Sequence, residues 1–215
     1  MDFSFTEEQE DLRREARRLL EASPSPSQEE LTELGWVGVV ESESFLEAAV
    51  LFEELGRVLY EGPYLEDEVG DDRQKLLAAY ALEAVGIASR AVEMAVAYVS
   101  DREQFGKKIG TYQAISHSVV DAYVGVELAR SLAYWAAWCV AEDDEQADLA
   151  VAAANAQACE AAVLACEKSI QAHGGIGFTW EHPLHRYYKR ALSLQASLGY
   201  GREQRAEIAR SLLSS

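Results

Sequence analysis

Asp101-Arg-Glu-Gln-Phe-Gly-Lys-Lys-Ile-Gly-Thr-Tyr-Gln113 separates two long stretches whose apolar residues recur at helical spacing, and it interrupts both. Gly106 and Gly110 break helical propensity there. Arg102, Lys107 and Lys108 form a basic island in a chain of net charge −18. Backbone N–H groups freed at a helix end, the helix dipole and a guanidinium can converge on a phosphate, so the stretch suits an anion. Taken alone it reads first as a plain turn between antiparallel helices, with a basic residue at the end of the preceding one. On either reading helix lies on both sides, and that decides the fold class.

Upstream, from about Asp72 to Asp101, Leu77, Ala81, Ala84, Ala88 and Val92 make a close-packing stripe. Downstream, Tyr112 to about Glu142 reads as a second long helix, bearing Tyr134, Trp135 and Trp138. After the acidic loop Glu142-Asp-Asp-Glu145 a third runs from about Gln146 to His173. Gln171-Ala-His-Gly-Gly-Ile-Gly-Phe178 ends it, with glycines that permit a tight turn and a close approach by another group. A shorter helix from about Pro183 to Ala191, a loop around Ser193 to Gly201 and a last helix to Leu213 complete this half. In the first half, Thr6-Glu-Glu-Gln9 and Ser27-Gln-Glu-Glu30 are capping boxes. The first opens an amphipathic helix through Leu12, Ala16, Leu19 and Leu20, stopped by Pro24 and Pro26. The second opens a short helix to Gly35. Trp36-Val-Gly-Val-Val40 reads as a brief extended connection, and Ser44 to Leu59 as a helix with Phe45, Ala48, Ala49, Phe52 and Leu55 on one face. The acidic stretch from Glu61 to Asp72 holds Gly and Pro and reads as a linker. The expected organisation is all-α: a shortened N-terminal helical domain over 1–60, a linker over 61–72 and a helical bundle over 73–215.

Hydrophobic residues make up 49% and charged residues 26%, ordinary for a soluble globular chain. The acidic charge opposes binding to nucleic acid or an acidic membrane surface. No uninterrupted apolar run reaches the length expected of a membrane span, and Met1-Asp-Phe-Ser-Phe5 has neither the basic start nor the apolar core of a signal peptide. Cys139, Cys159 and Cys166 sit in Ala-rich helical text and read as buried thiols, which points to the cytoplasm. Gly-Gly-Ile-Gly has no strand before it and is not a dinucleotide fingerprint. His182 and His185 stand three apart, a metal-ligand spacing, but no Glu-x-x-His pair accompanies them and no metal is assigned. Hydrolase elbows and phosphate-binding Walker loops are absent from the sequence.

Taken together, the two turns resemble the C-terminal helical domain of the acyl-CoA dehydrogenase family. Arg102-Glu-Gln-Phe-Gly with the following Gln113 is similar to that family's Arg-x-x-Phe-Gly segment, and Gln171-Ala-His-Gly-Gly-Ile-Gly-Phe178 to its Gln-x-x-Gly-Gly-x-Gly-Phe segment. The opening residues to Gln9 and Glu53-Glu-Leu-Gly-Arg57 resemble its N-terminal text. The resemblance implies a C-terminal four-helix bundle, FAD as cofactor and α,β-dehydrogenation of an acyl-CoA thioester, with a carboxylate removing the α-proton. It implies that Arg102, Phe105 and Gly106 meet the pyrophosphate or adenosine of FAD across a subunit interface. Gln113 falls near the adenine end, and Gln171, Gly174 and Gly175 line the FAD of a neighbouring subunit.

Two departures shape the expectation. The family's middle β-barrel domain would have to fit between Tyr60 and Asp72, and it cannot; the glycine-rich loop usual after Val40 is replaced by Glu41-Ser-Glu-Ser44. The usual base position, aligned on Gln204-Arg205, holds Leu198, and an alternative one near the start of the first bundle helix holds Leu76. Leucine accepts no proton. Glu83 and Glu203 are the nearest substitutes and read as structural or exposed carboxylates. The expectation is a subunit that completes an FAD site on a full-length acyl-CoA dehydrogenase partner, similar to the base-lacking subunits of bacterial heteromeric enzymes that break down fatty-acid or steroid side chains, with homo-oligomerisation through the bundle also open. The competing expectations are a flavin-free scaffold and a self-sufficient dehydrogenase with a relocated base.

Overall fold

Asp72 starts the bundle: its carboxylate accepts the backbone N–H groups of Gln74 and Lys75 at 3.0 and 3.1 Å, capping helix α6, Arg73–Asp101. The computed structural model describes residues 5–42 and 44–213, the side chain of Ser42 excepted; residues 1–4 of the family-like opening lie outside that range. From α6 the chain passes through a hairpin to α7, Gln113–Ala141, then α8, Ala147–His173, α9, Leu184–Ser197, and α10, Arg202–Leu213. Helix α8 lies at the centre against α6, α7, α9 and α10. It fits there because its inner face is small: Ala150, Ala154, Ala158, Ala162 and Ala165 are fully buried, facing the equally small Ala81, Ala84, Ala88 and Ala91 of α6. Polar residues on α8 bond to α6 backbone, Asn155 Nδ2 to the Leu77 carbonyl and Ser169 Oγ to that of Ala91, each at 2.8 Å. By length and composition α8 with the turn after it could cross a membrane, which the sequence was not expected to allow; in the fold most of that span is buried against protein.

In front of the bundle come α1, Glu7–Ala22, α2, Gln28–Glu33, α3, Val39–Ser42, α4, Phe45–Val58, and α5, Tyr64–Val69. Both capping boxes form, at Thr6 with Gln9 and at Ser27 with Glu30. Helix α4 crosses α6 backbone to backbone. A Cβ added to Gly56 would sit 2.4 Å from the Glu83 carbonyl oxygen, and one added to Gly86 would sit 2.1 Å from that of Glu53. The first segment and the bundle therefore share one continuous core. Buried charges on α4 tie it to its neighbours. Glu54 takes Arg17 of α1 and Arg57, Glu53 takes Arg130 and the Tyr134 hydroxyl of α7, and Arg57 forks onto Glu93 of α6 with both bonds at 2.8 Å.

Three local expectations are corrected. Trp36 to Val40 is not extended: Gly38 turns at φ +80 and the chain enters the helical turn α3. The Glu68 carboxylate stabilises that turn by accepting the N–H groups of Gly38 and Val40 at 2.7 and 3.4 Å. The acidic stretch that supplies Glu68 is not an open linker either. It folds as α5, with Leu65 and Val69 buried and the buried Tyr64 donating its hydroxyl to the Trp36 carbonyl at 2.6 Å. Helix α9 runs on to Ser197, because buried Leu194 extends its apolar face and no breaker occurs before Gly199. The loop expected from Ser193 shrinks to the short 3-10 turn Gly199–Gly201. Among the described residues the strands are β1, Glu103–Gln104, and β2, Lys107–Lys108, a miniature antiparallel pair that leaves the all-α class intact and contains no barrel.

Candidate functional site

The hairpin between α6 and α7 is built around Phe105-Gly106. Glu103 pairs with Lys108 and Gln104 with Lys107, and both linking residues have positive φ, +53 and +79, the condition for a tight two-residue turn. Glycine adopts that conformation freely. Phenylalanine does so at a cost, and no burial repays it, since Phe105 is 93% exposed. The base of the hairpin is fixed by Ile109 N–H to the Arg102 carbonyl at 2.8 Å and by Gly110, whose missing Cβ allows the Val99 carbonyl to approach. Lys107 Nζ sits 4.1 Å above the Tyr112 ring. Among the described residues Arg102, Lys107 and Lys108 are exposed and none of the three is ion-paired. Gln113, the first residue of α7, is exposed beside them.

The second turn closes α8. Gly174, at φ +63 and ψ −137, adopts a conformation open in practice to glycine alone, and the chain coils into the 3-10 turn Gly174–Phe178. Gly177 packs against the Ile170 carbonyl, 2.7 Å from where a Cβ would be. Gly175 faces open space, and Gln171, Phe178 and Trp180 are exposed around it. The two turns lie at the same end of the bundle, joined through rings: Tyr98 near the end of α6 stacks on His173 at 4.3 Å, and His173 meets His182 at 4.3 Å. The imidazoles are already bonded to backbone. His173 Nδ1 donates to the Ser169 carbonyl, His182 Nδ1 accepts the Leu184 N–H, and His185 Nδ1 donates to the His182 carbonyl. Burial holds both His173 and His182 below the usual imidazole range, and at His182 the neighbouring His173 and His185 push the same way.

The structure thus gathers Arg102, Phe105, Gly106, Gln113, Gln171, Gly174 and Gly175 at one end of the bundle. Unpaired cations, an exposed aromatic ring, side-chain amides and bare glycine backbone form a donor set that fits a dinucleotide bearing a diphosphate. It is a surface rather than a pocket, open on its outer side.

The positions where the resemblance would put a base lie elsewhere. Leu198 ends α9 just before Gly199, Tyr200 and Gly201, all at positive φ, and Leu76 is half-buried on α6; both pack against the core. Glu83 lines a cavity of about 460 Å³ with Tyr60, Glu66, Arg186 and Arg190. Burial pushes its carboxyl up, and the Arg190 fork at 2.6 and 2.8 Å works against that. Both Glu83 oxygens are occupied by that fork. Glu203 is exposed, 3.8 Å from Arg73. The buried Glu53, Glu54 and Arg57 escaped the sequence reading as a charge network; the one signal was the clustering of charge with glycine in Glu53-Glu-Leu-Gly-Arg57.

Residues 78–213 match the family model described as acyl-CoA dehydrogenase, C-terminal domain. The chain is 40% identical over 144 residues to acyl-CoA dehydrogenase IpdE2 of Mycolicibacterium smegmatis, a match covering 65% of this chain and 43% of that protein. It therefore spans less than half the length of that relative. Among solved structures it is similar to butyryl-CoA dehydrogenase from Megasphaera elsdenii, with a TM-score of 0.62 at 31% identity over 65% of this chain and 36% of the other. It also shares the fold of a chain in the ChsE4-ChsE5 complex from Mycobacterium tuberculosis, with a TM-score of 0.86 at 18% identity and 100% of both chains covered.

Proposed function

The chain belongs to the acyl-CoA dehydrogenase family, and from that premise we propose that it is a non-catalytic subunit completing an FAD site on a full-length partner, within a heteromeric acyl-CoA dehydrogenase. The observation that carries this reading is the contrast between two sets of positions. The hairpin and glycine turn keep the residues that would meet the cofactor, exposed and unpaired. The positions that would hold a base carry Leu198 and Leu76, and Glu83 is committed to Arg190. A bound FAD would supply the hydride acceptor for the β-carbon of the acyl thioester. This chain's part would be to bind and orient: Arg102, Lys107 and Lys108 would neutralise the diphosphate, Phe105 would offer a ring face, Gln113 and Gln171 would offer amides, and Gly174 and Gly175 would let the cofactor approach backbone. The α-proton is removed by a carboxylate of the partner, which also supplies the cover that keeps water from the flavin. The two-component composition of the ChsE4-ChsE5 complex supports the assignment. The same reading proposes an acyl-CoA as substrate of the complex and a cytoplasmic setting for its three buried thiols.

The test is the visible spectrum of the chain purified alone and co-purified with a full-length family member encoded beside it. The expected result is a colourless chain alone and a yellow complex that oxidises acyl-CoA. A yellow, active chain without a partner contradicts the proposal, as does a complex whose flavin content is the same with and without this chain.

A further inference from the structure

A second cavity, of about 500 Å³, opens between α1, α4, α6 and α9, and each of these helices brings an arginine to its lining: Arg17, Arg57, Arg90 and Arg186. Three of them belong to a run of alternating charge. Arg17 forks onto Glu54 at 2.6 and 3.0 Å, and Glu54 lies 3.2 Å from Arg57. Arg57 forks onto Glu93 at 2.8 Å, and Glu93 meets Arg90 at 3.2 Å. The run begins and ends on arginine, so three guanidiniums share two carboxylates. Arg186 is paired at 3.0 Å with Glu61, whose side chain is 79% exposed, so water screens that pair. Of the lining carboxylates, Glu54 belongs to the run and Glu21 is exposed. In a chain of net charge −18, this is a cavity walled by cations. We propose that it binds an organic phosphate monoester, with the phosphate on the arginines and the organic part on the apolar lining, independently of the flavin reading above.

The arrangement of the donors selects phosphate among anions. Burial pushes the Tyr187 hydroxyl up, and Arg90, Arg57 and Arg186 all stand near enough to work against that. Cations from three helices therefore surround one point, and Arg17 adds a fourth direction. The same hydroxyl donates to the Arg57 carbonyl at 2.7 Å, which fixes α9 against α4 there. A phosphate monoester carries close to two negative charges and three acceptor oxygens at neutral pH, so it can accept from several guanidiniums at once. A planar carboxylate is matched by a single fork. Donors remain for such a ligand: Arg90 meets Glu93 through Nη1 and Arg186 meets Glu61 through Nη2, which leaves further N–H groups on both. The rest of the lining argues for an ester over free phosphate. Leu20, Pro24, Val58, Leu59 and Pro183 offer apolar surface beside the guanidiniums, and the volume is in the range of pockets for small organic ligands.

The test uses the full chain without partner or flavin, at fixed ionic strength, with phenyl phosphate and inorganic phosphate as probes. Isothermal titration should show one phenyl phosphate per chain, bound roughly tenfold more tightly than inorganic phosphate because of the apolar surface it covers. Arg90→Gln and Arg186→Gln should each weaken phenyl phosphate binding roughly tenfold, the loss of one charge-assisted hydrogen bond, with unchanged circular dichroism. Arg14→Gln, on the same helix as Arg17 but outside the cavity, should bind as the wild type does. If Arg90→Gln does not fold, Arg186→Gln carries the test, its side chain being 56% exposed. No saturable binding to the wild type, or binding undiminished in Arg186→Gln, would overturn the site. An equal loss in Arg14→Gln would also overturn it, as diffuse attraction to surface cations. Equal affinity for the two probes would overturn the organic ligand. Neither flavin nor partner is present, so these outcomes are read separately from the success or failure of the cofactor site.

Discussion

The α4–α6 crossing and the hairpin end of the bundle use the same materials, arginine, glycine and aromatic residues, in opposite ways. At the crossing, Gly56 and Gly86 each receive another helix's backbone, and the charges of Glu53, Glu54 and Arg57 are all answered within the chain. At the hairpin, Gly106 turns in the open, Phe105 holds a left-handed conformation with its ring in solvent, and Arg102, Lys107 and Lys108 form no ion pair among the described residues. The first region is complete as folded. The second presents charged and aromatic groups to solvent, which is the physical reason for treating it as the candidate site.

The largest expected effect comes from breaking the first region. Gly86→Val puts a branched side chain where the Glu53 carbonyl stands and should cost about 4 kcal/mol or prevent folding, read by chemical denaturation. Glu54→Ala removes the carboxylate shared by Arg17 and Arg57, leaving Arg57 with Glu93 alone, and should cost about 2 kcal/mol by the same assay. A loss under about 1 kcal/mol would mean that water reaches the network and that the crossing is less closed than described.

An intermediate effect belongs to the ring stack that joins the two turns. The folded pKa values of His173 and His182 are lowered by burial, so the unfolded chain takes up protons first as pH falls. Their contribution to stability is therefore complete above the ordinary imidazole pKa of about 6.5 and is lost as pH falls below it. Melting temperature should drop over that window, and the drop should shrink in His182→Gln. An identical pH profile in that variant would remove the stack from the account.

The smallest effect on stability should come from the hairpin tip. Phe105→Gly relieves the left-handed strain but adds backbone freedom to the unfolded chain, so the net change should stay within about 0.5–1 kcal/mol. Flavin affinity of the assembled complex should nevertheless fall roughly tenfold, the loss of about one favourable ring contact. Sensitivity of function without sensitivity of stability is what separates the two regions.

Much of this was legible in the chain itself, because the signals are local. Thr6 and Ser27 announce their helices, the Ala/Leu-rich stripe from Leu77 to Val92 marks the long α6, and Gly174 and Gly175 announce a turn within a few residues of where it forms. What escaped depends on distant partners. Nothing near Val40 says that Glu68 will cap the turn around it, and the acidic stretch looks like linker until Tyr64 reaches the Trp36 carbonyl. Gly56 reads as one residue of a family-like segment until Glu83 is brought against it. The candidate site was legible as two motifs; that both lie at one end of the bundle, tied through Tyr98, His173 and His182, required the fold.

The central claim is that this chain contributes to a flavin site it does not own. Arg102 tests it most directly, being exposed and unpaired, so that its loss leaves the fold alone. Arg102→Ala should be co-expressed with the full-length partner and the flavin-to-protein ratio of the purified complex read from its visible spectrum. The account predicts an intact complex with a markedly reduced flavin content, restored in part by Arg102→Lys. A complex of full flavin content, with Arg102→Ala present and assembled, would contradict it.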